Sequence, residues 1–345
     1  MLYPERDTCQ CPKTGRKKIR NLACLGTEVL GGINMKIAVI GAGAMGSLFG
    51  GLLAEAGNEV YLVDVNADHV AALSRNGLSI ESNGETRVIP VHATQNPANL
   101  EVMDLIIIQV KTYATQAAAE SAIPMIGTDT VVMTMQNGIG NVELVGEVVG
   151  EEKVIGGVTR HGAVYLGPGK IRHTVDAATV IGELDGRITP RLRRICDVLN
   201  EARLNASISP NIQGEIWSKA IINVPANPLC AILRIPTREL VEHECIRQMM
   251  HMAEDEVIKV AAAKGIKLAF TNVAEKLASD VKPGSKQIAS MLQDVLNERP
   301  TEIGSLNGVV VSEGEKLGIE TPINKLLYLM VKAIEATYDA RVERL

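Results

Sequence analysis

From Met35 onward, short apolar runs rich in β-branched residues alternate with stretches of helical periodicity. KIAVIG, EVYLVD, DLIIIQVK and TVVMTMQ read as buried parallel strands, and helices are expected over Met45 to Ala56 and from about Ala67 to Asn76. That alternation predicts a doubly wound α/β sheet whose ligands lie at the carboxyl ends of its strands. A second block of strands, VIGGVT, GKIRHT and TVIGEL, follows. From about Pro210 the pattern turns helical, in stretches such as IRQMMHMAEDEVIKVAAAKG and PINKLLYLMVKAIEATY. We therefore expect a sheet domain over 35–208 and an all-helical domain over 209–345, with no internal repeat. Residues 1–34 are basic and irregular and lack the apolar core of a secretory signal; they are expected to be a disordered extension or a misread start, with Met35 the older start.

Composition narrows the function classes. The 345 residues are 46% hydrophobic and 22% charged, a balance typical of globular enzymes. A net charge of −5 and only 3% aromatics argue against nucleic-acid partners, and no uncharged apolar run approaches the roughly 20 residues of a membrane helix. The six cysteines are scattered, and Cys9 and Cys11 form a CxC with no second pair, so no metal site is expected. The expectation is a soluble cytoplasmic protein.

Gly41-Ala42-Gly43-Ala44-Met45-Gly46 fits GxGxxG directly after a strand and at the start of a helix, where a dinucleotide pyrophosphate would sit. Gly41 suits the tight turn, Gly43 the close approach of phosphate, and Gly46 close helix packing. This is the Rossmann-type arrangement. Asp64 ends the second strand at the spacing of a carboxylate that binds the adenosine ribose hydroxyls, which points to NAD(H); Val65 and Asn66 supply no Arg for a 2′-phosphate. Lys111, at the same edge, is placed to reach a phosphate of the adenosine ribose, and Asn137 to bind the nicotinamide ribose or the substrate.

In WSKAIINVPANPL, residues 217–229, Lys219, Asn223 and Asn227 recur every four residues and so share a helical stripe that is polar where a core helix would be apolar. Pro225 lies within it and predicts a kink that would displace Asn227. His161 and His173, weighed as alternative acids, show no acidic partner at an obvious spacing and read as structural; Met249, Met250 and Met252 read as helix packing.

Taken in order, GAGAMG (41–46), VKTY (110–113), QNGIGN (136–141), WSKxxxNxxxNPL (217–229) and SMLQDVLNERPTEIGSLNG (290–308) make the chain resemble the ketopantoate reductases. The resemblance spans nearly all of residues 35–340. It implies a Rossmann domain and a helical domain flanking a cleft, NADP(H) as cofactor, reduction of 2-dehydropantoate to pantoate in pantothenate synthesis, and, by analogy, a homodimer. It implies Lys219 as general acid, Glu302 as the residue contacting the substrate hydroxyls, and Asn223, Asn227 and Ser290 as substrate ligands. Read without it, Glu302 is an ordinary helix-surface charge. Gly304 stands where relatives usually carry an acidic residue, and relatives using NADPH carry Arg where this chain has Asp64-Val65. An NAD-dependent D-2-hydroxyacid dehydrogenase acting on another branched 2-keto acid is the second reading, and a non-catalytic dinucleotide sensor the third.

Overall fold

The structure, a computed structural model, describes residues 34–270 and 287–340. The basic cluster and the cysteines at positions 9, 11 and 24 lie outside the described residues. Twelve strands are seen: β1 Lys36–Ile40, β2 Glu59–Val63, β3 Leu78–Ser82, β4 Glu85–Ile89, β5 His92–Thr94, β6 Leu105–Ile108, β7 Val131–Thr134, β8 Val154–Thr159, β9 Gly162–Gly167, β10 Lys170–Val175, β11 Thr179–Glu183 and β12 Ala206–Ile208. Eight form one sheet in the order β12-β11-β8-β7-β6-β1-β2-β5. It is parallel from β5 through β8, and only the β8–β11 pair is antiparallel. Strand β1 lies between β2 and β6, so the chain order reverses there and opens a crevice at the carboxyl ends.

The remaining four strands form a second sheet, β4-β3-β10-β9, so that of the second block of strands β8 and β11 join the main sheet and β10 does not. Helix α1, Ala44–Glu55, lies between the two sheets and is buried from Gly46 through Leu53. Its sequence is apolar on every side because both of its faces are covered. A methyl group at Gly50 would strike Leu62 on the main sheet at 2.4 Å, and one at Gly51 would strike Leu78 on the second sheet at 2.6 Å.

Helices α2 (Ala67–Asn76), α3 (Thr115–Ala122), α4 (Asn141–Val149) and α5 (Pro190–Glu201) accompany the sheets. The helical portion contains α6 (Ile212–Leu233), α7 (Glu239–Glu242), α8 (Glu244–Ala263), α9 (Ser290–Leu296), a π-helical turn at Gly304–Gly308, α10 (Val309–Leu317) and α11 (Pro322–Ala336). By length and composition α6 could cross a membrane, contrary to the reading that no segment could. It is mostly buried, however, and carries the core of the helical portion through Trp217, Ile221 and Val224.

Helix α6 continues through Pro225 and also through Pro228, so Lys219, Asn223 and Asn227 all lie within one helix. Pro228 has no N–H to offer the carbonyl of Val224 four residues earlier. Asn307 Nδ2 donates to that carbonyl at 3.0 Å instead, and Asn324 Oδ1 accepts from the same amide at 3.0 Å. Asn324 is fixed in turn by Glu256 of α8, whose carboxylate accepts from the backbone amides of Ile323 and Asn324, both at 2.9 Å. A buried carboxylate thus satisfies the otherwise orphaned amides at the start of α11 and complements its dipole.

Candidate active site

The glycine loop shows why three glycines are needed. Gly41 has φ +93°, and a Cβ there would lie 2.8 Å from the backbone of Gln109 and Val110, at the end of β6. At Gly46 a Cβ would lie 1.9 Å from the carbonyl oxygen of Gly41. Gly43, by contrast, has no atom within 4 Å of its Cβ position, so open space faces the backbone at that point. Ser47 makes the first helical bond, to Gly43 O at 2.9 Å, which leaves the amides of Ala44, Met45 and Gly46 without intrahelical acceptors. Open backbone, free amides and a helix N-terminus suit a pyrophosphate.

His69 supports this loop from below. It is buried; its Nε2–H donates to Ala42 O at 2.8 Å, and its Nδ1 accepts from Gly169 N–H at 2.9 Å. Burial lowers its pKa, against the opposing pull of Asp64, and its two partners fix the neutral Nε2–H tautomer. The turn between β9 and β10 in the second sheet is thereby coupled to the dinucleotide loop. At the neighbouring strand end, Asp64 is half-buried and accepts from Asn66 N–H at 2.9 Å.

Across the crevice, the loops after β6 and β7 are joined by a polar network. Gln136 Nε2 donates to Val110 O at 2.7 Å and to Thr115 Oγ1 at 2.8 Å, and Asn141 Nδ2 donates to Asn137 O at 2.9 Å. Gly138 has φ +96°, and a Cβ there would fall 2.6 Å from Ser305 Oγ, so the loop packs directly on the π-helical turn. Ile139 N–H donates to Ser305 O at 2.9 Å across the same contact.

Glu302, read without the family as a surface charge, is 9% exposed and bridges to this loop. Its Oε1 accepts from Thr112 N–H at 3.2 Å and Thr112 Oγ1 at 3.3 Å. Thr112 Oγ1 also reaches Asn137 O at 3.2 Å. Lys111 is engaged on the same side, with Nζ 2.5 Å from Asp294 Oδ2 and 3.5 Å from Glu302 Oε2. The structure therefore turns Lys111 toward two carboxylates of the helical portion. Burial acts to lower its pKa, but Glu302 and Asp294 outweigh that and leave it raised, so it is a fixed cation.

Lys219 faces the end of β8, donating from Nζ to Thr159 O at 2.8 Å. Burial lowers its pKa from 10.5 to about 8, with Glu302 pulling upward and Arg160 adding to the depression. One and two turns along α6 come Asn223, half-buried, and Asn227, 8% exposed. Neither they nor Ser290, the first residue of α9, have a side-chain hydrogen-bond partner among the described residues. None of their polar atoms is among those sealed from solvent without a partner.

The two histidines prove to have an acidic neighbour after all: His161 Nδ1 lies 3.7 Å from Asp176 Oδ1. His161 Nε2–H donates to Leu204 O at 3.2 Å, while His173 Nε2 lies 2.9 Å from Val175 O and 3.2 Å from His161 Nδ1. His173 Nε2 must carry hydrogen to meet the Val175 carbonyl. That nitrogen offers no lone pair to a metal, although the three side chains are clustered closely enough to hold one.

Two family profiles, described as ketopantoate reductase PanE/ApbA and ketopantoate reductase PanE/ApbA C terminal, match residues 37–186 and 211–335. The chain belongs to the ketopantoate reductase family. The 2-dehydropantoate 2-reductase of Pyrococcus abyssi is 34% identical over 302 residues, covering 88% of this chain and 98% of the relative. That of Archaeoglobus fulgidus is 31% identical over 301 residues, covering 87% and 98%. Among solved structures, D-mandelate dehydrogenase in a ternary structure with NADH and anilino(oxo)acetate matches with TM-score 0.84 and 32% identity, covering 89% of this chain and all of that one. A PanE/ApbA family ketopantoate reductase from Ralstonia eutropha matches with TM-score 0.80 and 32% identity, over 88% and 99%.

Within this ketopantoate reductase fold, Lys111, Asn137 and Glu302 meet around Thr112, and Lys219 lies within electrostatic reach of Glu302. Thr112, Thr159 and Asp294 were not singled out by sequence. Thr112 stands within the VKTY motif and Asp294 within SMLQD, so the motifs contained them; Thr159 acts through its carbonyl, which no side-chain pattern reveals.

Proposed function

We propose that this protein reduces the keto group of 2-dehydropantoate to the alcohol of pantoate, with hydride supplied by a nicotinamide dinucleotide held on the Gly41–Gly46 loop. The observation that carries this reading is Lys219, half-buried on α6 with its Nζ on Thr159 O at 2.8 Å, its pKa lowered to about 8 and facing the field of Glu302. When bound, the dinucleotide supplies a hydride to the keto carbon. Lys219 donates a proton from Nζ to the keto oxygen as negative charge grows there, so one hydride and one proton yield the hydroxy acid. A lysine with a pKa of about 8 is still mostly charged at neutral pH, yet is a stronger acid than an ordinary lysine. Glu302, held by Thr112, accepts from the substrate hydroxyl, while Asn223, Asn227 and Ser290 supply the open hydrogen-bonding groups that orient it.

NADH is the preferred donor in this account. Asp64 presents a carboxylate at the end of β2, Val65 beside it is 91% exposed, and the segment contains no Arg to meet a 2′-phosphate. The same feature favours a second reading, a D-2-hydroxyacid dehydrogenase acting on a bulkier 2-keto acid, because the similar D-mandelate dehydrogenase is an NADH complex. Steady-state kcat/KM for 2-dehydropantoate and for phenylglyoxylate, each with NADH and with NADPH, separates the readings. The first predicts the highest value for 2-dehydropantoate with NADH. A higher value for phenylglyoxylate would establish the second reading, and better turnover with NADPH would overturn the role given to Asp64.

A further inference from the structure

Two buried side chains converge on one carbonyl inside the glycine loop. Ala42, between the first two glycines of the motif, is fully buried, and its oxygen accepts from Ser47 Oγ at 2.7 Å and from His69 Nε2 at 2.8 Å. Ser47 is 0% and His69 1% exposed, so both donors are shielded from water. A trans peptide is planar, with its C=O and N–H pointing to opposite sides. Fixing the Ala42 oxygen inward therefore aims the N–H of Gly43 outward, into the open space that faces this exposed glycine. That N–H has no acceptor among the described residues.

The partners of His69 make it the right donor. It sits in the first turn of α2, where its backbone N–H donates to the N-cap Asn66 Oδ1 at 3.0 Å, just beyond the carboxylate of Asp64. Its Nδ1 accepts from Gly169 N–H at 2.9 Å, in the turn between β9 and β10, and only a neutral ring with its hydrogen on Nε2 can make both bonds. That turn is itself held in place. Gly169 O accepts from Ser79 N–H of β3 at 2.8 Å, and a Cβ at Gly169 would lie 3.1 Å from the Cβ of Ala72 on α2. Tyr165 of β9 packs edge-on against the imidazole, with ring centroids 5.2 Å apart. The second sheet thus decides which nitrogen of His69 carries the hydrogen that faces the loop.

We propose that His69, with Ser47, is a positioning residue for the dinucleotide: it holds the Ala42 peptide so that Gly43 N–H meets the pyrophosphate, and it ties that peptide to the end of α2 beside Asp64. The inference rests on the dinucleotide part of the proposed function and specifies what keeps that site in shape. The pyrophosphate and the adenosine ribose are met by different segments of the chain, and a rigid link between those segments leaves less ordering for the ligand to impose. His69 is buried under the loop and acts only through it. Its loss is therefore felt in dinucleotide affinity before it is felt in the chemical step.

The test compares the unsubstituted protein with H69L, H69Q and S47A by fluorescence titration with NADH, alongside KM for NADH and kcat. Gln carries its amide nitrogen as many bonds from the backbone as Nε2 of His and keeps a donor for Ala42 O, whereas Leu fills the space with none. H69L is expected to raise the Kd for NADH about 10-fold or more and to raise KM for NADH far more than it lowers kcat. S47A, which leaves one of the two donors, should raise the Kd about 2-fold to 10-fold, and H69Q should stay within about 3-fold of the unsubstituted protein. A merely structural role would lower the melting temperature and the amount of active protein but leave the Kd unchanged, and that result would overturn the inference. So would an H69Q protein that binds NADH as weakly as H69L. Where H69L does not fold, an unchanged Kd in S47A overturns it in the same way. If the unsubstituted protein binds neither NADH nor NADPH, the reading of the glycine loop fails and this inference fails with it.

Discussion

At the scale of single residues, two glycines of one motif do different work. Gly46 is glycine because its own fold forbids a side chain, with Gly41 O 1.9 Å from where a Cβ would stand. Gly43 has an open Cβ position and φ −61°, a backbone any residue can adopt, so the protein alone gives no reason for glycine there. On the proposed function the reason is the dinucleotide. Gly43→Ala is therefore expected to leave the melting temperature of the free protein nearly unchanged while weakening NADH binding about 10-fold or more. Gly46→Ala should lower both stability and binding, because backbone must move. Thermal melts and NADH fluorescence titrations on both variants check this; a Gly43→Ala protein that binds NADH normally would contradict the placement of the pyrophosphate.

At the scale of elements, α6 holds the site together although it contains two prolines. Asn307 compensates for Pro228 by donating to Val224 O, so Asn307→Ala strands a buried carbonyl and is expected to cost about 1–3 kcal/mol in urea unfolding. A loss under half that would mean the carbonyl finds another donor. The helices and the parallel strands were legible because each carries its own period: α2 and α8 follow their apolar patterns closely. The second sheet was less legible. Its β3–β4 hairpin did carry a local signal, Asn83-Gly84 with φ of 53° and 83° between alternating runs, but the pairing of Ser79 with Lys170 joins segments with no local relation. Read without the family, Glu302 looked like a surface charge for the same reason, since its carboxylate meets Thr112, 190 residues upstream. The GxGxxG loop and the lysine stripe were readable, whereas Thr112 and Asp294 acquire meaning only when the loop after β6 meets the helical portion.

At the scale of the whole molecule, the proposed function depends on what the two portions bring to one crevice: the glycine loop from the sheet, and Lys219 and Glu302 from the helices. Two effects set the acidity of Lys219 in opposition. Burial lowers its pKa and Glu302 raises it, leaving about 8. The protonated form is the active one for reduction, so the rate should hold on the acid side of that value and fall as pH rises through it. Lys219→Ala is expected to reduce turnover by about 100-fold or more and to abolish that limb. The most direct measurement is the pH dependence of kcat/KM for 2-dehydropantoate reduction with NADH, in the unsubstituted enzyme and in Lys219→Ala. The account predicts an alkaline fall near pH 8 that the substitution removes along with most of the rate; a fall near pH 8 that survives in Lys219→Ala at undiminished rate would contradict it.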